Sequence, residues 1–347
     1  KISPSFSNNR EIGLSLQENT VMMDRIIGIG NALVDVLVRL ESEQMLEDLT
    51  LPKGGMVLID DEQQRELSER IKALTPARAT GGSAGNAMRA LANMGARPGF
   101  VGCVADDEVG RFFRDNCQER GIEARLLTVE GQSGVANTFI TPDAERTFAT
   151  YLGVAGRLTA EHITPQLFEG YQMLHIEGYM VQNHELIETI CRTAKALGMK
   201  TSIDLASYNV VKDNLALLRD LVAKYIDIVF ANEEESAAFT EGKAPEEALR
   251  EIASMAEVAV VKVGKRGSMA MSGGEVALVA GRSQNVVDTT AAGDFFAGGF
   301  LYAHARGESL ECCLRTGALL AGRIIQVVGT RLPESEWEEI RREILGK

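Results

Sequence analysis

The sequence has few cysteines and spaces none of them as a CxxC pair: Cys103, Cys117, Cys191, Cys312 and Cys313 make an odd five. That pattern excludes a disulfide framework and fits free, buried thiols in a reducing compartment, so a cytoplasmic location is expected. The four histidines, His162, His175, His184 and His304, are scattered without metal-ligand spacing, which argues against a zinc site. Positive charge is also short: 36 Lys and Arg stand against 49 Asp and Glu, a formal net charge of −13. Nucleic acid needs clustered cations, so it is not an expected partner. A phosphate-bearing ligand remains compatible, because a divalent cation and local dipoles dominate inside a cleft. No apolar run approaches the roughly 20 residues needed to span a bilayer, so no membrane partner is expected. No fixed-period repeat or low-complexity linker divides the chain.

What is present reads as a layered α/β protein. With 347 residues, 45% hydrophobic and 24% charged, the chain is long enough for one large domain and an appendage. Residues 1–21 are polar, rich in Ser and Asn, and lack an apolar signal core, so they read as a flexible leader outside the fold. Strands are expected at Arg25–Gly30, Leu33–Arg39 and Gly55–Ile59, with a helix from about Asp61 to Ala73. Gly134–Thr141 and Glu145–Leu152 flank a Thr-Pro-Asp-Ala turn and read as a hairpin. Regions 33–60 and 124–153 are therefore expected to build a small sheet outside the main domain, placed to cover a cleft as a lid. From Tyr171 the rhythm is regular, with apolar strands at Met173–Ile176, Thr201–Asp204, Ile226–Ala231 and Val258–Val263. Such continuous apolar runs suit a sheet covered on both faces. The expected fold is a doubly wound, mostly parallel sheet with helices on both faces, spanning residues 22–332 with its β lid, and then a C-terminal helix at 333–347.

The segment Asp288-Thr-Thr-Ala-Ala-Gly-Asp294 leads directly into an apolar helix. A small-residue turn opening a helix leaves backbone N–H groups without intrahelical partners, and with the dipole these make an anion site. Ala291, Ala292 and Gly293 are small enough for a phosphoryl group to approach. Asp294 is an odd companion for an anion unless it accepts a proton from an attacking hydroxyl. The alternative is that Asp288 or Asp294 caps the helix. Thr80-Gly-Gly-Ser-Ala-Gly-Asn86 is a second Gly-rich turn before a helix; Asn86 suits a sugar hydroxyl, and tight helix packing is the alternative. Asn232 and Glu235 follow an apolar strand, where the carboxyl ends of strands face the ligand crevice. They suit a water-coordinated Mg²⁺, or simply an acidic first helical turn. Val263–Ser268 after the next strand also reads as a hairpin turn.

In this order and spacing the segments resemble the PfkB, or ribokinase-like, carbohydrate kinases from about residue 25 to 332. The amino-proximal signature reads Gly81-Gly82-Ser-Ala-Gly85-Asn86, Phe100-Val-Gly102 and Asp107-Glu-Val-Gly110; the carboxyl-proximal one reads Asp288-Thr289-Thr-Ala291-Ala292-Gly293-Asp294; Asn232 and Glu235 match Asn-x-x-Glu. The resemblance implies Asp294 as catalytic base and the amides from Ala291 through Ala292 and Gly293 to Asp294 as the anion hole. It implies Asn232, and Glu235 through water, for Mg²⁺ and the phosphates of ATP. The nucleotide pocket would be lined by Lys262, Gly264 and Gly267, with Ala318 and Ala321 on a late helix. Asn31, Asp35, Gly81, Gly82 and Asn86 would bind the acceptor. A monovalent cation such as K⁺ beside the anion hole, and a monomer or homodimer, are also implied. One departure stands out: Ala291 replaces the family's first glycine. At positive φ that costs about 1 kcal/mol; at negative φ it is nearly silent.

Gly28–Asp35 and Thr141–Leu152 look most like the adenosine-kinase-like branch, which implies a nucleoside phosphorylated at its 5′-hydroxyl. A free sugar such as ribose, fructose or 2-keto-3-deoxygluconate is the alternative acceptor. A non-catalytic sugar- or nucleoside-binding protein on the same fold is the alternative of another class. A dinucleotide-binding reading of Gly28-x-Gly30 fails at Leu33, where a Gly or Ala is needed.

Overall fold

The computed structural model describes residues 25–74, 76–143, 145–282 and 285–346, so the expected leader at 1–21 lies outside the described residues. The strands are β1 (Ile26–Ile29), β2 (Leu33–Arg39), β3 (Met56–Leu58), β4 (Ala77–Thr80), β5 (Gly99–Val104), β6 (Glu123–Thr128) and β7 (Gly134–Ile140). They continue as β8 (Arg146–Tyr151), β9 (Met173–Glu177), β10 (Lys200–Asp204), β11 (Ile228–Asn232), β12 (Val258–Lys262), β13 (Ser268–Ser272) and β14 (Glu275–Val279). The large sheet runs β14-β13-β12-β11-β10-β9-β1-β5-β6, parallel except for the antiparallel β12-β13-β14 edge. Its central strands are apolar at successive positions because both faces are covered. On one face, Phe230 and Val260 pack with residues of the Ser83–Asn93, Ala292–His304 and Leu310–Ile324 helices. On the other, Ile27, Ile176 and Val229 pack with the His184–Ala196 and Leu215–Tyr225 helices.

The second sheet runs β3-β8-β7-β2-β4. Its β7-β8 pair is antiparallel, as the Thr-Pro-Asp-Ala turn implies. Two features differ from expectation. Residues 124–128, expected in the lid, belong to β6, which pairs in parallel with β5 as the edge of the large sheet. The Glu108–Glu119 helix supplies the crossover that parallel pairing requires, and the half-buried, mixed character of β6 is that of an edge strand. Conversely, β4 joins the small sheet beside β2, although Ala-Arg-Ala-Thr carries little strand signal. The chain therefore crosses between the sheets just before the Gly81-Gly82 turn.

The helix after that turn is held close to the Ala292–His304 helix by small residues. A Cβ on Gly298 would lie 2.7 Å from the Ala87 carbonyl oxygen. This close approach brings the starts of the two helices together. A further helix, Glu334–Leu345, closes the described chain, with Trp337 stacked on Phe295 at 6.0 Å between ring centroids.

Candidate active site

The strand order reverses at β1: β5 and β6 wind away on one side, and β9 to β12 on the other. In open α/β sheets the crevice at such a reversal takes the ligand. Here the carboxyl ends carry Asn31 just beyond β1, Glu177 on β9, Asp204 on β10, Asn232 on β11 and Lys262 on β12. Register places Glu177 beside Asp204, and Asn232 beside Lys262.

Asp294 lies in the first turn of the Ala292–His304 helix but does not cap it. Its Oδ1 accepts from Ser83 Oγ at 2.7 Å and its Oδ2 from Asn86 Nδ2 at 2.9 Å. Burial raises its pKa to about 6, against the pull of those two donors and of Lys262, with Asp204 pushing the same way as burial. Asp288 does not cap the helix either: it accepts from the Thr290 amide at 2.9 Å and the Gly329 amide at 2.6 Å, bracing the loop. The capping alternative is therefore excluded for both acids.

Fewer of the amides expected to form an anion hole are free of backbone partners than the sequence suggests. The Ala292 amide donates to the Thr289 carbonyl at 3.2 Å, whereas nothing among the described residues accepts from the amides of Gly293 and Asp294. Facing them is Lys262, whose Nζ would lie 3.2 Å from a Cβ on Gly293. Lys262 donates to Asp204 Oδ2 at 2.7 Å. Burial alone would lower the lysine's pKa, but Asp204 and Glu235 outweigh it and keep the ammonium charged. Ala291 holds φ 59° and ψ 10°, in the left-handed region, so the replaced glycine is felt. Ala291→Gly is expected to stabilise the protein by about 1 kcal/mol. Urea unfolding checks this, and an unchanged or lower midpoint refutes it.

Asn232 and Glu235 close a capping box on the Glu233–Phe239 helix: the Asn232 amide and Nδ2 donate to Glu235, and the Glu235 amide donates to Asn232 Oδ1, each at 2.8 Å. The structural alternative thus accounts for their hydrogen bonds. Glu235 is nonetheless buried and its pKa is raised to about 7, first by desolvation and then by Asp204. Among the described residues no group of three or more His, Cys, Asp or Glu is arranged to hold a metal ion.

On the acceptor side Asp35 lies over the Gly81-Gly82 turn, with its Oδ1 2.2 Å from where a Gly81 Cβ would be. Gly82 has φ 77°, and its Cβ would lie 2.2 Å from the Asn31 carbonyl oxygen. Asn31 donates through Nδ2 to Glu177 Oε1 at 2.6 Å, and the Ala84 amide donates to Glu177 Oε2 at 3.2 Å. Burial raises the Glu177 pKa to about 7. Asn31, Asp35, Gly81, Gly82 and Asn86 thus surround one end of the crevice.

Gly264 and Gly267 form the tight β12-β13 turn, at φ 53° and 109°, which is the hairpin reading of that segment. Ala318 and Ala321 lie on the Leu310–Ile324 helix, which packs against β13 and β14. Lys262, expected with them, reaches toward Gly293 from the end of β12. Sequence reasoning missed Ser83, Glu177 and Asp204. An acid ending an apolar strand (Leu-His-Ile-Glu177, Ser-Ile-Asp204) is a signal that finds two of them.

Residues 53–337 match the pfkB family carbohydrate kinase family. An adenosine kinase from Schizophyllum commune is 24% identical over 356 residues, 91% of this chain and 98% of that protein. A solved probable sugar kinase protein from Rhizobium etli is 33% identical at TM-score 0.82, covering 93% of this chain and 98% of that one. The solved adenosine kinase from Sinorhizobium meliloti is 31% identical at TM-score 0.81, covering 92% and 99%. With this coverage, and with both glycine turns meeting in one crevice, the chain belongs to the pfkB family of carbohydrate kinases.

Proposed function

We propose that the protein transfers the γ-phosphate of ATP to the 5′-hydroxyl of an adenosine-like nucleoside, with Asp294 as general base. The observation that carries this reading is the half-buried Asp294 carboxylate, held by Ser83 and Asn86 between the Gly81-Gly82 turn and Lys262. Asp294 takes the hydroxyl proton as the oxygen attacks the γ-phosphorus. Lys262 and the amides of Gly293 and Asp294 face the charge on the transferred group. Buried Glu235, its pKa raised by desolvation and by Asp204 against the pull of Lys262, would hold Mg²⁺ through water beside Asn232, and such an ion would neutralise the phosphate oxygens. The likeness to the two adenosine kinases supports a nucleoside acceptor. The 33% identity to the Rhizobium etli sugar kinase supports a free sugar as the second reading.

ADP release with Mg²⁺ across adenosine, inosine, cytidine, ribose, fructose and 2-keto-3-deoxygluconate tests the two. Turnover on a nucleoside supports the proposal, whereas turnover on a free sugar alone transfers it to the second reading. A base must be deprotonated, so kcat/KM is expected to fall tenfold per pH unit below about 6, where Asp294 gains its proton. A rate flat down to pH 5 would remove Asp294 from that role.

A further inference from the structure

A buried cation stands behind the site, and among the described residues no carboxylate accepts a hydrogen bond from it. Arg89 is 3% exposed. Its Nη1 donates to the Thr80 carbonyl at 2.7 Å and reaches Thr80 Oγ1 at 3.4 Å, while Nη2 donates to Asn86 Oδ1 at 2.7 Å. Nε has no partner among the described residues, and the guanidinium lies 5.6 Å from the Phe295 ring centroid. Desolvating a charge in this way is unfavourable, and burial lowers the Arg89 pKa to about 10. A neutral donor would serve the Thr80 carbonyl, so the charge calls for a reason.

That reason lies in Asn86, whose carboxamide has one accepting end and one donating end. A guanidinium only donates, so Oδ1 must face Arg89 and Nδ2 must face Asp294. In the flipped amide, two acceptors would oppose each other at Asp294 and two donors at Arg89. Arg89 and the Asp294 carboxylate therefore impose the same orientation on Asn86, and the bond from Arg89 to Thr80 ties this choice to the Gly81-Gly82 turn. Asp294 also feels Glu177 on β9, Asp204 on β10, Lys262 on β12 and Glu235 on the following helix. Arg89 in turn feels Asp35, Arg120, Asp294 and Cys117.

We propose that Arg89 is a positioning residue for phosphoryl transfer, fixing the Asn86 carboxamide so that it holds the Asp294 carboxylate and lending that hydrogen-bond chain its positive charge. The role in transfer rests on Asp294 acting as the base; the hold on the carboxylate does not.

The test uses the full chain with Arg89→Met and Arg89→Lys, following the Asp294 carboxyl by ¹³C NMR titration, its signal identified by its loss in Asp294→Asn. Arg89→Met is expected to move the midpoint up by about one pH unit, since a positive charge and a fixed donor are lost together. With ATP, Mg²⁺ and adenosine, kcat should fall by about tenfold or more, with the ATP KM within about threefold and the acid limb moved up with the midpoint. Arg89→Lys should restore most of the midpoint while leaving kcat about fivefold low, because one ammonium cannot span Thr80 and Asn86 as the fork does. A cooperatively unfolding Arg89→Met with an unmoved midpoint would overturn the inference. Should that variant fail to fold, Arg89→Lys decides, and wild-type kcat together with a wild-type midpoint overturns it. The titration needs no acceptor, so it stands whichever substrate is used. Undiminished turnover in Asp294→Asn would instead remove the base reading, leaving the titration to decide whether Arg89 governs the carboxylate.

Discussion

Asp294→Asn is expected to lower kcat by about a thousandfold while leaving ATP binding intact. The substitution keeps the size and planarity of the side chain, and Ser83 can still donate to an amide oxygen at position 294. What it removes is the capacity to take a proton from the acceptor hydroxyl. Asp294 is suited to that task because burial has raised its pKa to about 6, near working pH, while Ser83, Asn86 and Lys262 prevent it from rising further. Replacing the carboxylate also removes one negative charge beside the phosphates, so ATP affinity should hold or rise slightly. Steady-state ADP release and titration with a fluorescent ATP analogue measure the two effects separately. A fall of less than tenfold in kcat would show that the hydroxyl loses its proton elsewhere. Equal loss of ATP binding and turnover would make Asp294 a binding residue.

Gly82→Ala is expected to cost about 3 kcal/mol or more in stability and to abolish most turnover in whatever folded protein remains. Two terms add. The backbone at Gly82, φ 77° and ψ 139°, lies where a residue with a side chain is strained. The new methyl would also sit 2.2 Å from the Asn31 carbonyl oxygen, so either the turn or the β1–β2 connection must move. Any such movement reaches Glu177, which binds Asn31 and the Ala84 amide from either side of the clash. Gly85→Ala in the same segment is the control: its nearest neighbour would be 3.8 Å away, and its effect should be small. Urea unfolding of both variants tests the difference, and similar midpoints would refute the steric account.

Much of this protein is legible residue by residue. The apolar runs at β9 to β12 form buried strands because nothing but a covered sheet accommodates them, and the Thr-Pro-Asp-Ala turn dictates its own hairpin. Both small-residue turns could be placed before helices, since the run of Gly and Ala there is itself the signal. The assignment of β6 was not legible: its mixed pattern fits an edge strand of either sheet, and only the crossover helix and its pairing with β5 decide between them. β4 was silent for a similar reason, being recruited by β2 rather than by its own propensity.

Sequence alone determined the fold class and the order of the segments, and singled out Asp294 as the residue proposed as the base. These depend on local pattern and residue type. Tertiary structure alone decided the sign of φ at Ala291, the closure of Asn232 and Glu235 into a capping box, and the partners of Asp294. Ser83 and Asn86 lie 211 and 208 residues from that carboxylate along the chain. Hydrogen-bond partners and pKa values are set by whatever the fold brings within a few ångströms, and such distances carry no trace in local sequence. Arg89 looks ordinary in the chain for this reason, whereas Glu177 and Asp204 show as acids ending apolar strands but without the partners that the fold gives them.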